Sequence, residues 1–280
     1  MSKMAAPMPD FRDPPVVEVA LSVQFDSLSK LRTPQMGLLW QEFRDRFPKT
    51  EEHAPLDMAV ERFGAPQRPK GVARIKMLEG PPVPRCWFLN EAGTELIQIQ
   101  HDRFVRNWRK AGTDAEYPRY EHIRGAFESE LRSFSAFVER EQLGAFAPNQ
   151  CEVTYVNHIV AGKSWTTHAE LDRVVTVCRR SFSDPFLDRP EDAGMRLRFL
   201  IPDDGGQPIG RLHVAIDSGY RTKDDQPLFV LNLTARGAPR GDGLGGVMGF
   251  LDLGREWVVR GFASLTTQTM HREWGRRDGA

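Results

Sequence analysis

The segment CEVTYVNHIV, residues 151–160, carries the side chains of this sequence that are best suited to acid–base chemistry. His158 titrates near neutral pH and Glu152 is a carboxylate, so together they could exchange a proton with a bound molecule. Alternating apolar residues predict a strand here, which places Glu152 and Tyr155 on opposite faces. We favour a structural, hydrogen-bonded histidine over a catalytic base, and we assign no catalytic residue.

A glycine-rich loop, GDGLGG at 241–246, matches the G-x-G-x-x-G spacing of dinucleotide-binding loops. Such sites place a pyrophosphate at a helix N-terminus and the ribose against an acidic residue on the next parallel strand. The sequence ends after the helix that follows this loop, so we expect no such strand and no dinucleotide. What remains is a candidate site for a single phosphate or carboxylate, formed by Arg236, Arg240 and Gly243.

Metal-binding and nucleophile motifs are missing from the sequence. Its seven histidines form no H-E-x-x-H or H-x-H pair, and its three cysteines form no C-x-x-C pair. No G-x-S-x-G nucleophile elbow is present. We therefore expect no metal site and no cofactor, and we interpret the cysteines as buried, reduced thiols.

The segment DRFVRNWRK, residues 102–110, mixes basic and aromatic side chains as sites for single-stranded nucleic acid do. The whole chain has 38 Lys plus Arg and 38 Asp plus Glu, so its formal net charge is zero. This balance does not favour nucleic acid or an anionic membrane as a partner. We interpret the segment as a strand of the sheet, with Trp108 packed against a helix.

Membrane and export signals are also missing. No apolar stretch approaches the ~18 residues that cross a bilayer, and the opening MSKMAAPMPDFRDPP has no apolar core like that of a secretory signal. We expect a cytoplasmic protein.

The hydrophobic pattern predicts the element order β-α-β-β-β-α twice. In the first half, the predicted strands are 16–25, 72–78, 85–90 and one that begins at Glu95, and the predicted helices are 33–47, with Thr33 as N-cap, and 120–142. In the second half, the predicted strands are 151–160, 195–201, 212–216 and 228–234, and the predicted helices begin at Thr167 and Val247, the last one ending near Trp274. Residues 48–70 are predicted to be an irregular connection.

The first strands of the two halves, VVEVALSVQF and CEVTYVNHIV, lie about 134 positions apart and resemble each other. We therefore predict an α+β fold built from a duplicated β-α-β-β-β-α unit, with mostly antiparallel sheet and long helices packed on one face. Residues 1–15 are a lead-in, 16–147 the first half and 148–280 the second half of one compact domain. The alternative is an α+β meander whose halves are alike by coincidence.

Helices on one face leave the other face of the sheet open, and we expect a ligand there or in a cleft between the halves. His213 and Asn232 are predicted to line the open face. The candidate ligand-binding residues are Gln98, Gln100, Arg109, Glu152, Tyr155, Asn157 and His158.

Several blocks of the sequence are similar to those of a sporadically distributed bacterial family of about this length and of unknown function. The similarity runs nearly end to end. It is most specific at Asn107-Trp108 and at the C-terminal MHREWGR, Met270 to Arg276, and further blocks are PPVVEVALSVQF, IQHDRFVRNWRK and CEVTYVNHI. The resemblance implies a bacterial cytoplasmic protein with an accessory role, and it carries no known catalytic residues.

We expect a non-catalytic accessory protein that binds a ligand or a partner polypeptide between the two halves. One alternative is an enzyme of unrecognised type that uses polar residues of the inter-repeat cleft, and another is nucleic-acid binding through RFVRNWRK. Gly249, Gly254 and Gly261 in the last helix indicate close approach of another element. We place that element within the fold first, and in a second copy of a homodimer otherwise.

Overall fold

The computed structural model describes residues 7–64, 83–112, 114–178 and 185–277. Within these ranges the chain is a mixed α+β protein with one large antiparallel sheet and five helices. The strands are β1 (Asp10–Phe11), β2 (Val16–Phe25), β3 (Lys49–His53), β4 (Arg85–Leu89), β5 (Glu95–Gln100), β6 (Arg103–Arg109), β7 (Pro148–Val160), β8 (Met195–Pro202), β9 (Pro208–Tyr220), β10 (Pro227–Gly237) and β11 (Arg276–Arg277). The helices are α1 (Thr33–Phe43), α2 (Tyr120–Arg140), α3 (Leu171–Val174), α4 (Gly243–Leu265) and α5 (Gln268–Glu273).

Nine strands form the large sheet, in the order β3-β4-β5-β6-β2-β7-β10-β9-β8, and every neighbouring pair is antiparallel. β2 and β7 are adjacent at its centre, where Val23 pairs with Cys151. On each side of this pair a later strand returns to lie beside an earlier one, β6 beside β2 and β10 beside β7. β1 and β11 form a separate pair that joins Phe11 to Arg276.

The helix α4 packs closely on the second half of the sheet, over β7 and β10. A Cβ atom added at Gly254 would lie 3.1 Å from Cγ2 of Val153, and one at Gly261 would lie 2.8 Å from Cδ2 of Leu212. Both strand residues are buried. The prediction that these two glycines permit close approach is confirmed, and the approaching element is the protein's own sheet.

The helix α2 covers β6 on the same face of the sheet. The rings of Phe127 and Phe134 contact the ring of Phe104, with centroids 5.8 and 5.4 Å apart. Arg106 lies two positions after Phe104 and therefore points to the same side. Its guanidinium lies 3.1 Å from the carboxylate of Glu130 on α2, in an ion pair buried between helix and sheet.

The first half of the chain differs from its predicted order at three places. The predicted strand that begins at Glu95 is two strands, β5 and β6, because the chain turns back at His101-Asp102. The predicted irregular connection contains β3, a short strand at one edge of the sheet. The predicted strand 72–78 lies outside the described residues.

The helices α1 and α3 are also shorter than predicted. α1 is confirmed, but its N-cap is Arg32 rather than Thr33, and it ends at Phe43 instead of Phe47. The predicted helix after Thr167 is a 3-10 turn followed by the single turn of α3, because Val175 leaves the helix to form a β-bridge with Thr266.

The long final helix divides into α4 and α5. It breaks at Thr266-Thr267, where the Thr266 hydroxyl bonds to the carbonyl of Phe262 at 2.7 Å and to His271 at 2.8 Å. The Thr267 hydroxyl accepts the N–H of Met270 and so caps α5. In the described ranges, no helix combines the length and the apolar character that crossing a bilayer requires.

Candidate functional site

The face of the large sheet that lies opposite α2 and α4 carries most of the polar side chains of the strands, with a few apolar residues such as Leu96 and Val156 among them. It is formed by alternate residues of each strand, so the register determines which side chains meet there. The residues of this polar face in the two central strands and their neighbours include Ser22, Gln24, Gln98, Gln100, Arg103, Asn107, Arg109, Gln150, Glu152, Thr154, His158, Arg211, His213, Asn232, Thr234 and Arg236. His213 and Asn232 therefore lie where the alternation predicts.

The seven candidate ligand-binding residues divide between the two faces. Gln98, Gln100, Arg109, Glu152 and His158 lie on the polar face. Tyr155 and Asn157 alternate with the last two and point to the helix side, where the Tyr155 hydroxyl lies 2.9 Å from that of Tyr117. The structure therefore does not bring the four polar residues of β7 together in one site.

A stretch of the chain that follows β3 crosses the polar face at an angle to the strands. We call residues 54–64 the crossing segment. Gln100 on β5 accepts the N–H of Leu56 at 2.8 Å and donates to its carbonyl at 2.9 Å. Gln24 on β2 makes the same two contacts with Ala59, at 3.0 and 2.7 Å. Two side-chain amides thus each satisfy both polar groups of one residue in an extended backbone.

Two further contacts hold the backbone of the crossing segment to the sheet. Arg103 donates to the carbonyl of Asp57 at 2.9 Å, and Gln150 accepts the N–H of Glu61 at 3.1 Å. Leu56, Met58 and Val60 are exposed and take no part in this attachment, whereas the ring of the partly buried Phe63 lies 5.1 Å from the guanidinium carbon of Arg211. The crossing segment is held mainly by hydrogen bonds from the sheet to its main chain.

The carboxylate of Glu61 anchors the far end of the crossing segment in a cationic socket. The socket consists of Arg211, His213 and Arg236, on β9 and β10. Nε2 of His213 lies 2.6 Å from Glu61, and Arg211 donates directly to the same carboxylate, whose side chain is 4% exposed. Arg236 also pairs with Glu152, which links β7 to the socket.

Electrostatics keep this anchor ionised. Burial alone raises the pKa of Glu61, but the hydrogen bond from His213 and the charges of His213, Arg211 and Arg236 outweigh it, so the pKa lies below its ordinary value. The socket is therefore built to hold a carboxylate anion.

A cavity of about 290 Å³ opens beside the socket on the same face. Its polar lining consists of Arg196, Arg198, His213, Asn232 and Thr234. Arg196 pairs with Asp217 at 2.8 Å, and the two arginines place this cavity between the socket and the edge strand β8.

A second polar network crosses the first half of the face. Arg85 donates to Gln98 at 2.8 Å, and Gln98 donates to Asn107 at 2.7 Å. Arg109 lies over the ring of Trp87, with its guanidinium carbon 5.4 Å from the ring centroid. These residues of β4, β5 and β6 contact one another, while Nε of Arg85 and Nε1 of Trp87 are buried with no hydrogen-bond partner among the described residues.

The candidate anion site at the glycine loop is not assembled. Arg236 points to the polar face, whereas Gly243 begins α4 on the opposite side of the sheet. Arg240 lies beside the start of α4, where its backbone N–H donates to the carbonyl of Gly246 at 2.9 Å. Because the sheet separates Arg236 from Gly243, the three residues do not face one ligand.

The basic and aromatic segment 102–110 is taken up by the fold, as the strand interpretation predicts. Arg103 and Arg106 are buried, and they bind Gln24 and Glu130 from opposite faces of β6. Trp108 is buried on the helix side, 5.5 Å from the ring of Tyr117. These side chains do not form an exposed basic strip.

The part of the chain that the structure describes contains no buried thiolate and no metal-binding group. Burial raises the pKa of the Cys86 thiol to about 11 and that of the Cys151 thiol to about 12, so neither is a thiolate at neutral pH. Among the described residues, no group of three His, Cys, Asp or Glu side chains is arranged to hold a metal ion.

The crossing segment and its socket are the part of the site that sequence reasoning missed. Leu56, Met58 and Val60 alternate in the segment, but they are its exposed side chains, and the partners of its backbone are scattered from Gln24 to Arg236. One usable signal is that Gln24 and Gln100 each alternate with apolar residues in a predicted strand, while Gln150 lies just before the predicted strand 151–160. An amide at such a position is well suited to bind a peptide backbone.

Comparisons with protein-family models, with curated proteins and with solved structures find no match for this chain.

Proposed function

We propose that this chain is a cytoplasmic bacterial accessory protein that binds an extended, acidic segment of a partner polypeptide on its polar sheet face. The observation that carries the proposal is the pair of glutamines, Gln24 and Gln100, that each bind both polar groups of one backbone residue. Such contacts recognise an extended main chain whatever its side chains. The crossing segment is then the internal occupant of a peptide-binding surface.

The charge of the proposed partner follows from the socket. Arg211, His213 and Arg236 converge on one carboxylate, and Arg196 and Arg198 line the cavity beside them. A partner segment with an acidic side chain in the place of Glu61 complements this surface.

Exchange of the crossing segment for a partner is compatible with how the segment is held. Its side chains Leu56, Met58 and Val60 are exposed, so the apolar burial that its release gives up is mainly that of the partly buried Phe63. The hydrogen bonds that it loses are of the kind that an incoming extended peptide restores.

The proposed site uses both halves of the chain, 16–147 and 148–280. The backbone-binding residues Gln24, Gln100 and Arg103 belong to the first half, and the socket belongs to the second. We interpret the halves as copies of one ancestral β-α-β-β-β-α unit, with β2 and β7 as equivalent strands that pair at the centre. The similar placement of β6 beside β2 and β10 beside β7 supports this interpretation.

A labelled peptide with the sequence of the crossing segment, APLDMAVERFG, tests the proposal on the full chain. In the wild-type protein the internal segment competes at high effective concentration, so we expect weak binding. Glu61→Gln removes the internal anchor and is expected to strengthen peptide binding at least tenfold, measured by fluorescence anisotropy. The matched control is Glu51→Gln, an exposed carboxylate on β3.

Two further variants make the result specific to the socket. We expect the gain in binding to be lost when glutamine replaces the glutamate of the peptide. We expect the same loss when the protein carries Arg236→Met together with Glu61→Gln. Equal peptide binding by the wild type, Glu61→Gln and Glu51→Gln would contradict the proposal, as would binding that is unaffected by Arg236→Met.

A further inference from the structure

A larger cavity, of about 490 Å³, lies on the other side of the sheet from the crossing segment. It is enclosed by the start of α2, the middle of α4 and the stretch of chain that leads into β2. The volume lies within the range of pockets that hold small organic molecules. None of its lining residues belongs to the crossing segment or the socket, so this site is separate from the proposed peptide surface.

Most of the cavity wall is apolar. It is formed by aromatic rings and branched aliphatic side chains, including Phe11, Val16, Leu233, Val258, Val259 and Phe262. Such a wall favours the hydrophobic body of a ligand and provides it with no hydrogen bond.

One cation stands at the polar end of the cavity. The guanidinium of Arg255 lies over the ring of Tyr120, 5.2 Å from its centroid. The buried Nε of Arg255 has no hydrogen-bond partner among the described residues, and the nearest carboxylate, that of Glu121, lies 3.8 Å away on a side chain that is 76% exposed. A buried donor without an acceptor is costly, and a ligand oxygen would supply one.

The other arginine at this end is already engaged. Arg119 donates to Asp10 and to the carbonyl of Phe11, each at 3.1 Å. A third arginine of the lining, Arg277, is exposed, so Arg255 is the partly buried guanidinium at this end, beside the hydroxyl of Tyr155.

Two tyrosine hydroxyls complete the polar end. The hydroxyls of Tyr117 and Tyr155 lie 2.9 Å apart, and this contact uses one of their two hydrogens. Burial raises the pKa of both tyrosines, so both stay protonated at neutral pH. Within the described residues neither hydroxyl has a second acceptor, which leaves one O–H to donate to a ligand.

We propose that this cavity binds a small amphipathic monocarboxylate, with its carboxylate against Arg255 and the tyrosine pair and its apolar body among the Phe and Val side chains. A charge-assisted contact to a guanidinium is stronger than one between neutral groups, so the carboxylate gives the site its selectivity. The ligand lies against β7 from the helix side, while the crossing segment lies against the opposite face.

Three eight-carbon probes that differ only in their head group test the assignment on the full chain. Octanoate is expected to bind at least tenfold more tightly than octanol or octylamine, measured by isothermal titration calorimetry. Arg255→Met is expected to weaken octanoate binding at least tenfold and to leave octanol binding unchanged. Arg132→Met, at an exposed arginine elsewhere on α2, is the control and is expected to change neither.

A variant that fills the cavity locates the ligand. Val259→Trp places a large ring in the cavity and is expected to abolish binding of both octanoate and octanol, with the fold checked by circular dichroism. Equal affinity for the three probes, or octanoate binding that survives either Arg255→Met or Val259→Trp in folded protein, would overturn the proposal. The peptide experiment above has an independent readout, so either proposal can fail while the other holds.

Discussion

The carboxylate of Glu130 on α2 lies 3.1 Å from the guanidinium of Arg106 on β6, and each side chain is 1% exposed. Glu95 and Arg46 pair with the same two residues from the edge of the cluster. Burial raises the pKa of Glu130, against the charges of Arg106 and Arg46, which shows that desolvation of this carboxylate is not fully offset. The pair joins α2 to the sheet, and its two members depend on each other.

Removing one member of this pair is expected to cost more stability than removing both. Arg106→Met leaves the Glu130 carboxylate buried beside a single, mostly exposed arginine, and we expect the free energy of unfolding to fall by about 3–5 kcal/mol. The double variant Arg106→Met and Glu130→Leu is expected to recover most of that loss. Urea denaturation measures both.

The control for this buried ion pair is an exposed ion pair on the same helix, between Arg132 and Glu128. Arg132→Met breaks the surface contact with Glu128, and we expect a change of less than about 1 kcal/mol. A double variant that is less stable than Arg106→Met alone would show that the charge pair itself stabilises the fold.

The anchor of the crossing segment makes stability depend on acid pH. The pKa of Glu61 is lowered from an ordinary value of 4.5, so its contribution is fully present above that pH and is lost as the pH falls through the lowered value. We expect Glu61→Gln to flatten part of the fall in unfolding free energy between about pH 5 and pH 2. Denaturation curves at a series of pH values measure this.

Part of the acid sensitivity is expected to remain in that variant, because the pKa values of Asp252 and Glu170 are also lowered by their contacts. If the unfolding free energy depended on pH identically in the wild type and in Glu61→Gln, this would contradict an ionised Glu61 in the socket.

The close contact between α4 and β7 predicts a site where added volume is not tolerated. Gly254→Val introduces atoms where a Cβ would already lie 3.1 Å from Val153 and 3.3 Å from Ala235, so we expect a loss of about 1–3 kcal/mol. At Gly125, on the exposed side of α2, nothing lies within 4 Å of an added Cβ. Gly125→Val is expected to change stability by less than about 0.5 kcal/mol in thermal or urea unfolding. A similar loss at both glycines would contradict close packing as the cause, because valine has a higher helix propensity than glycine.

The three cysteines are expected to differ in reactivity. Cys86 and Cys151 are buried, whereas Cys178 is partly exposed. With a thiol-specific disulfide reagent near pH 8, we expect one thiol to react quickly in the native protein and three after denaturation. Cys178→Ser is expected to remove the fast phase, and a fast phase that persists in this variant would contradict the burial of the other two.

The main elements of the fold were predictable because their residues follow a period. The alternation in β2 and β7 and the apolar stripe of α2 each predict an element that the structure contains. The turn at His101-Asp102 was missed although it shifts the alternation by one position, from Ile97 and Ile99 to Phe104 and Trp108, because it lacks the glycine that marks most two-residue hairpin turns. The break of the last helix was missed as well, because it depends on contacts of Thr266 with His271 and Val175 that only the fold brings together.

The candidate site was predictable only in part, for a different reason. Alternation correctly places Gln98, Gln100 and His213 on one polar face, since strand geometry alone decides which side they take. It says nothing about the crossing segment, whose backbone is bound by side chains from distant strands. Glu61 has no neighbour in sequence that explains its burial. Alternation places Arg106 on the face of Phe104 and Trp108, but nothing in the sequence identifies Glu130 as its partner.

The short pairing of β1 with β11 has a mechanical consequence. Asp10 faces Arg277 and Phe11 faces Arg276 in this antiparallel pair, which we call the clasp. The chain therefore enters and leaves the clasp at the same end. A force applied between the two ends of the described chain would load its hydrogen bonds one after another, as in a zipper, rather than all at once. The clasp is therefore expected to open at low force while the nine-stranded sheet stays intact. Asp10, Phe11 and Arg277 also line the large cavity, so tension on the chain would act on the wall of that cavity before it reached the core.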